Sequence, residues 1–177
     1  MDTTASYTSV ERLAAAIREH LDADGPWRPH ADPDRHAVEL TPATRPPGDV
    51  VLAAITEDAA LDAVLGYARA RAAEQGLPLR LVHVWTGHGR EAAGVRMRPE
   101  SLAHADLLLA SAAHELGMPA ERQILHDTDP GAALRALGDH AALLVVGASP
   151  DLHGHTARAL VGRTACALAL VVPRPPR

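Results

Sequence analysis

The chain has 177 residues, 47% of them hydrophobic and 22% charged, so it is long and apolar enough for one or two small globular domains. All 17 basic residues are arginines, which excludes a Schiff-base lysine and a phosphate loop of the Walker type. A single cysteine excludes an internal disulfide and a cysteine-based zinc cluster, and the net charge of −5 argues against a nucleic-acid-binding protein.

Residues 1–48 are predicted to form an N-terminal extension that begins with a helix. Thr8 followed by Glu11 fits a capping box, and apolar residues then recur at helical spacing. A helix is therefore expected over about residues 9–22. The following residues, 24–36, are rich in Asp, Pro, Arg and His, and this composition favours a loop.

The extension is predicted to end in a short strand and a linker. His36–Leu40 favours the strand, and Thr41–Asp49, with three prolines and a glycine, is typical of a linker. Met1–Thr4 lack the basic flank and apolar stretch of a signal peptide, and the longest apolar runs are too short to span a bilayer. We therefore expect a cytoplasmic protein without a membrane partner.

From Val50 onward, strand and helix patterns alternate, which predicts one α/β domain over residues 49–177. Five apolar runs favour buried strands: Val50–Ile55, Leu79–Trp85, Arg122–His126, Leu143–Val146 and Ala167–Val172. The segments between them favour helices: Leu61 to Gly76, Leu102 to Gly117, Asp129 to Leu137, and about Gly154 to Ala165. This alternation predicts a doubly wound parallel sheet of five strands with an extra N-terminal helix.

Ligands of such sheets bind beyond the carboxyl ends of the strands, where the strand order reverses. Four segments follow predicted strand ends and are the places to look for a site: Thr56–Asp58, Trp85–Arg90, Asp127–Asp129 and Gly147–Thr156.

Three stretches in this order resemble the universal stress protein family, over about residues 50–173. Gly76–Trp85 is similar to the family's second strand, Asp129–Gly147 to its third helix and fourth strand, and Ala165–Pro173 to its last strand. The resemblance implies a flavodoxin-like fold, related to adenine-nucleotide hydrolases, with strand order 3-2-1-4-5. It also implies a homodimer, often paired through the last strand, and members that bind ATP beside others that do not.

The ATP-binding motif of the family is degenerate here. Binders carry an Asp at the end of the first strand, where this chain has Thr56. Their glycine-rich phosphate loop is matched at Gly147 but has Pro150, which lacks an N–H, in place of the second glycine. With Gly154 as the third glycine and His155 in place of a Ser, the loop is about six residues shorter than the family's pattern. In that pattern, backbone amides cradle the phosphates. The candidate nucleotide site comprises six residues: Thr56, Val84, Gly147, Gly154, His155 and Thr156.

Three functions follow from these residues. The first is a non-catalytic, homodimeric stress-response or regulatory module that has lost or altered standard ATP binding and interacts with protein partners. The second is a sensor that binds ATP or another adenine nucleotide through substitute contacts, Arg90, His155 and Thr156. The third is a metal-binding protein or enzyme built on histidines: His83, His153 and His155. No catalytic nucleophile and no convincing metal-ligand spacing is apparent, so no catalytic or metal residue is assigned.

Overall fold

The N-terminal helix forms where the capping signal predicts it. Helix α1 spans Ser9–His20, with the Thr8 side chain accepting the Glu11 N–H at 3.3 Å and the Glu11 carboxylate accepting the Thr8 N–H at 2.8 Å. The helix is slightly shorter than predicted because Leu21 already has extended backbone angles. The computed structural model describes five parts of the chain: residues 8–44, 48–86, 91–92, 95–96 and 101–174.

Two antiparallel strands follow α1. They are β1 (Trp27–Asp32) and β2 (Ala37–Pro42). The prediction of a loop over residues 24–36 is therefore wrong for residues 27–32, which form a strand. Strand β1 lies at the edge of the sheet. Its non-polar residues, Trp27, Pro29 and Ala31, alternate with polar ones, but its proline and charged residues favoured a loop in the sequence. Strand β2 also extends beyond the predicted end at Leu40 into the expected linker, of which residues 45–47 lie outside the described residues.

The five strands predicted from Val50 onward are present, each within one residue at either end. The strands after β2 are β3 (Val51–Ala54), β4 (Leu79–Trp85), β5 (Glu91–Ala92), β6 (Val95–Arg96), β7 (Glu121–His126), β8 (Leu143–Gly147) and β9 (Ala167–Val171). The helices after α1 are α2 (Leu61–Gln75), α3 (Leu102–Leu116), α4 (Pro130–Gly138) and α5 (His155–Leu160). Within the part of the chain that the structure describes, strands β5 and β6 pair with each other and with no other strand.

Local signals set most helix ends. Gly76 and Gly117 end α2 and α3 with left-handed backbone angles, φ 63° and 65°, which glycine adopts without strain. Asp129 begins α4 by accepting the Ala132 N–H at 3.1 Å. Helix α5 ends at Leu160 rather than near residue 165, because Gly162, with φ 72°, turns the chain towards β9.

The main sheet has seven strands in the order β1-β2-β9-β8-β3-β4-β7. The predicted α/β class with a mainly parallel sheet is confirmed, whereas the prediction of a five-stranded, all-parallel sheet in the order 3-2-1-4-5 is wrong. Strands β7, β4, β3, β8 and β9 are parallel, whereas β2 pairs antiparallel with β9 and carries β1 on its outer side. The N-terminal residues thus extend the same sheet, and the last strand lies inside it.

Helices cover both faces of this sheet, as the doubly wound prediction requires. Helices α1, α4 and α5 pack on one face, where Leu13, Ile17 and Leu160 join the inward residues of β2, β8 and β9. Helices α2 and α3 pack on the other, with Val64, Leu109 and their neighbours. None of the helices in the described residues is long and apolar enough to cross a membrane.

Candidate functional site

The sheet brings the predicted site residues to one end. Strand β3 lies between β4 and β8, so Thr56 after β3, Val84 near the end of β4 and Gly147 at the end of β8 are on adjacent strands. Gly154, His155 and Thr156 follow β8 and begin α5. This end of the sheet, between β3, β4 and β8, is called the crevice below. Arg90, the arginine suggested as a substitute contact, lies outside the described residues.

Thr56 is tied into its own loop. Its hydroxyl donates to Asp58 Oδ2 at 2.6 Å, while Asp58 Oδ1 accepts the Ala60 N–H at 2.8 Å ahead of α2. A carboxylate is therefore present at the end of the first parallel strand, two residues later than in the family's motif. It is engaged with the chain that leads into α2, and it lies in the segment Thr56–Asp58 that follows a predicted strand end.

The two glycines of the degenerate motif have different surroundings. A Cβ at Gly147 would lie 2.7 Å from the Cβ of Ala60, so this glycine lets β8 approach the start of α2. Gly154 is the N-cap residue of α5 with φ −63°, and a Cβ there would meet only the Ala157 Cβ, at 3.9 Å. Packing accounts for Gly147, and neither packing nor backbone angles require a glycine at 154.

The loop between β8 and α5, residues 148–154, is held by its own side chains. Ser149 Oγ accepts the His153 N–H at 2.9 Å, and the Leu152 N–H donates to the Ser149 carbonyl at 3.0 Å. Leu152 has a left-handed φ of 54° and is nearly fully buried, which anchors the middle of the loop. Pro150 contributes no N–H, so one donor that a phosphate would need is absent.

Helix α1 reaches this loop through an ion pair. Arg12 Nη2 donates to Asp151 Oδ1 at 2.6 Å, and His153 Nε2 lies 3.9 Å from the other carboxylate oxygen of Asp151. The pair joins residues 139 positions apart, so no local pattern could have predicted it. A negative charge thus lies in the loop where the family resemblance places phosphates.

Histidines occupy two further positions at the crevice end of the sheet. The buried His83 ring donates from Nδ1 to the Ile55 carbonyl at 2.7 Å, which ties β4 to the end of β3. His104, in the first turn of α3, contacts Glu57 through Nε2 at 2.7 Å. The sequence did not suggest His104. Among the described residues, no three His, Cys, Asp or Glu side chains form a group that could hold a metal ion.

An aromatic pair lies at the ends of β4 and β7. The Trp85 and His126 rings have centroids 4.7 Å apart and planes inclined by 43°. The backbone continues this contact, because the Asp127 N–H donates to the Trp85 carbonyl at 3.1 Å. Asp127 in turn accepts the Asp129 N–H at 2.9 Å, and Asp129 begins α4, so this aspartate pair orders a turn.

Known proteins resemble this chain in sequence pattern and in fold. A model of the universal stress protein family matches residues 48–175. None of the curated protein sequences matches the chain significantly.

Several solved structures share the fold. A universal stress protein from Archaeoglobus fulgidus is 23% identical, with a TM-score of 0.53 over 71% of this chain and 91% of its own. The universal stress protein from Archaeoglobus fulgidus in complex with dAMP is 22% identical, with a TM-score of 0.53 over 72% of this chain and 98% of its own. A universal stress protein in complex with cAMP is 17% identical, with a TM-score of 0.56 over the same shares.

Proposed function

Because this chain belongs to the universal stress protein family, we propose that it is a non-catalytic stress-response or regulatory module in which standard ATP binding is lost or altered. The six candidate residues supply two glycines, two hydroxyls, a valine and a histidine, but no nucleophile with a general base beside it. Cytoplasmic location and protein partners belong to this proposal. So does a homodimer, formed through a surface other than the outer side of β9, which β2 occupies.

The observation that carries the proposal is the ion pair in the β8–α5 loop. A loop that cradles phosphates presents backbone N–H groups and excludes carboxylates, because like charges repel. Here the loop contains Asp151, held at 2.6 Å by Arg12, and Pro150 removes a donor. Ser149 is engaged with the His153 N–H, so the loop uses its own polar groups where a phosphate would need them.

The first experiment measures nucleotides in the purified full chain. Protein prepared without added nucleotide is denatured, and the released small molecules are analysed by mass spectrometry. Titration calorimetry then follows binding of ATP, ADP, AMP, dAMP and cAMP. We expect no stoichiometric nucleotide and no saturable binding at nucleotide concentrations up to about 1 mM. A dissociation constant of about 1 mM corresponds to a binding free energy of only about 4 kcal/mol. We also expect no phosphate release from ATP above the blank. Stoichiometric ATP seated at residues 147–156 would overturn the proposal.

A nucleotide sensor with substitute contacts is the second candidate, and Arg12 is the observation that favours it. Its side chain is 51% exposed, so a phosphate could compete with Asp151 for the guanidinium. Relatives of the same fold are solved with dAMP and with cAMP. In this case, Asp151→Asn strengthens nucleotide binding because it removes the competing charge, and Arg12→Ala abolishes it. The matched control is Arg18→Ala, an exposed arginine on the same helix.

A further inference from the structure

Strands β1 and β2 (Trp27–Asp32 and Ala37–Pro42), here called the edge hairpin, lie along the outer side of the last strand. Four residue pairs align β2 with β9, from Ala37 opposite Val171 to Leu40 opposite Leu168. The Val172 N–H continues the ladder to the His36 carbonyl at 2.9 Å. All five residues of β9 are apolar and buried. Without β2, this hydrophobic strand would form an open edge of the sheet.

An apolar contact holds the edge hairpin on one face of the sheet. Leu13 and Ile17 of α1 are fully buried and join the same cluster as Val38 and Leu40 of β2. Leu168 and Leu170 of β9 belong to this cluster as well. A two-stranded hairpin alone is only marginally stable in water, and α1 supplies the hydrophobic cover that it needs.

A polar contact holds the edge hairpin on the other face, against α2. Glu39 of β2 accepts the Tyr67 hydroxyl at 2.7 Å and a guanidinium N–H of Arg71 at 3.1 Å. Arg71 and Arg35 both donate to Glu74, at 2.9 and 2.5 Å. These five residues are called the polar clamp below. Hydrogen bonds from the two arginines hold the pKa of the Glu74 carboxyl at about 2.

The outer strand of the edge hairpin is a poor template for further pairing. Strand β1 contains Pro29, which cannot donate to a neighbouring strand, between Arg28 and His30, which are exposed. Proline and exposed charged side chains are features by which sheets avoid edge-to-edge association. The hairpin therefore covers the hydrophobic strand β9 and ends the sheet with a polar one.

We propose that the edge hairpin closes the outer side of β9 within its own chain, so that a second copy cannot add its last strand there. The occupant that the hairpin excludes is β9 of another copy, because only one strand can bond to that side of β9. Two face contacts on different helices, α1 and α2, keep the closed arrangement in place.

The test uses a disulfide between the hairpin and β9 in the full chain. Since the Val172 N–H bonds to the His36 carbonyl, Ala37 and Val171 form a non-hydrogen-bonded pair. Their Cα atoms are then about 4.5 Å apart, within disulfide range. After oxidation of Ala37→Cys/Val171→Cys, denaturing mass spectrometry should find only an intrachain disulfide. The single variants Ala37→Cys and Val171→Cys are the controls.

Two results would overturn the proposal. An interchain disulfide between positions 37 and 171 in the double variant would mean that the hairpin comes from another copy. In Val171→Cys alone, an interchain disulfide that joins position 171 of two copies, rather than Cys166, would mean that two β9 strands pair. Hydrogen exchange on the unmodified protein is a second measurement that needs no folding of a variant. Alternation along the ladder directs the Leu168 and Leu170 N–H groups to β2. Their protection should not change on dilution, whereas protection supplied by a second copy would fall.

Discussion

Local contacts set helix ends in both the N-terminal segment (residues 8–44) and the parallel-strand part (residues 48–174), but side chains of the N-terminal segment also bond to distant parts of the chain. In the parallel-strand part, Gly76, Gly117 and Asp129 set helix ends through neighbours a few residues away. In the N-terminal segment, Glu39 bonds to Tyr67, 28 positions away, and Arg12 to Asp151, 139 positions away. The difference implies that the N-terminal segment depends on the rest of the chain for its stability and unfolds together with it.

Ile17→Ala is the strongest test of that dependence. Ile17 is fully buried between α1 and the sheet, and truncation of such a side chain costs about 2–5 kcal/mol of unfolding free energy. Urea unfolding measures this loss. In a Trp85→Tyr background, Trp27 fluorescence reports on the edge hairpin alone and should change together with the circular dichroism of the whole chain. The exposed Glu19→Ala should stay within about 0.5 kcal/mol. Separate transitions would show that the two regions unfold independently.

Gly48→Ala probes the junction between the two regions. A Cβ at position 48 would lie 2.0 to 2.2 Å from backbone atoms of Ala141 and Ala142, so the chain must shift. We expect a loss of about 1–3 kcal/mol in the same urea experiment. Gly66→Ala is the matched control, because a Cβ there meets nothing within 4 Å on an exposed face of α2. It should gain about 0.5–1 kcal/mol. Equal effects of the two substitutions would contradict a tight junction.

The range of the contacts explains part of what the sequence could predict. The five parallel strands and most helix ends were predictable because each depends on a short window: an apolar run, a capping residue or a left-handed glycine. Strand β1 was missed for another reason, since its pairing with β2 is local: the Asp, Pro, Arg and His around it favoured a loop and outweighed the alternation of Trp27, Pro29 and Ala31 with polar residues. At the crevice, the candidate residues Thr56, Val84 and Gly147, named with the resemblance to the family, lie on adjacent strands. Arg12 and His104 come from distant elements, and no window contains them with their partners.

Tyr67→Phe tests the polar clamp. Loss of one hydrogen bond to Glu39, which keeps its bond to Arg71, should cost about 1 kcal/mol. Burial and the bond to Glu39 raise the pKa of the Tyr67 phenol, so the folded chain keeps a proton that the unfolded chain releases above about pH 10. Stability of the unmodified protein therefore falls as the pH rises above 10, and Tyr67→Phe lacks this decline. Urea unfolding should show that the difference in unfolding free energy between the unmodified protein and Tyr67→Phe narrows above pH 10. A difference in unfolding free energy that stays constant with pH would show that Tyr67 is not part of the polar clamp.

The Arg12–Asp151 pair is the long-range contact from which we expect the smallest effect on stability. Its side chains are 51% and 44% exposed, and exposed pairs contribute about 0.2–1 kcal/mol in double-mutant cycles. Arg12→Ala, Asp151→Ala and the double variant, compared by urea unfolding, should give a coupling in that range.

Hydrogen exchange should nevertheless separate this pair from the α1 core. Because Arg12 joins α1 to the β8–α5 loop through Asp151, Arg12→Ala should speed exchange at the His153 N–H, which bonds to Ser149, and leave β9 unchanged. Arg18→Ala, on the same helix, should alter neither. If Arg12→Ala instead cost as much as Ile17→Ala, the pair would hold α1 itself in place.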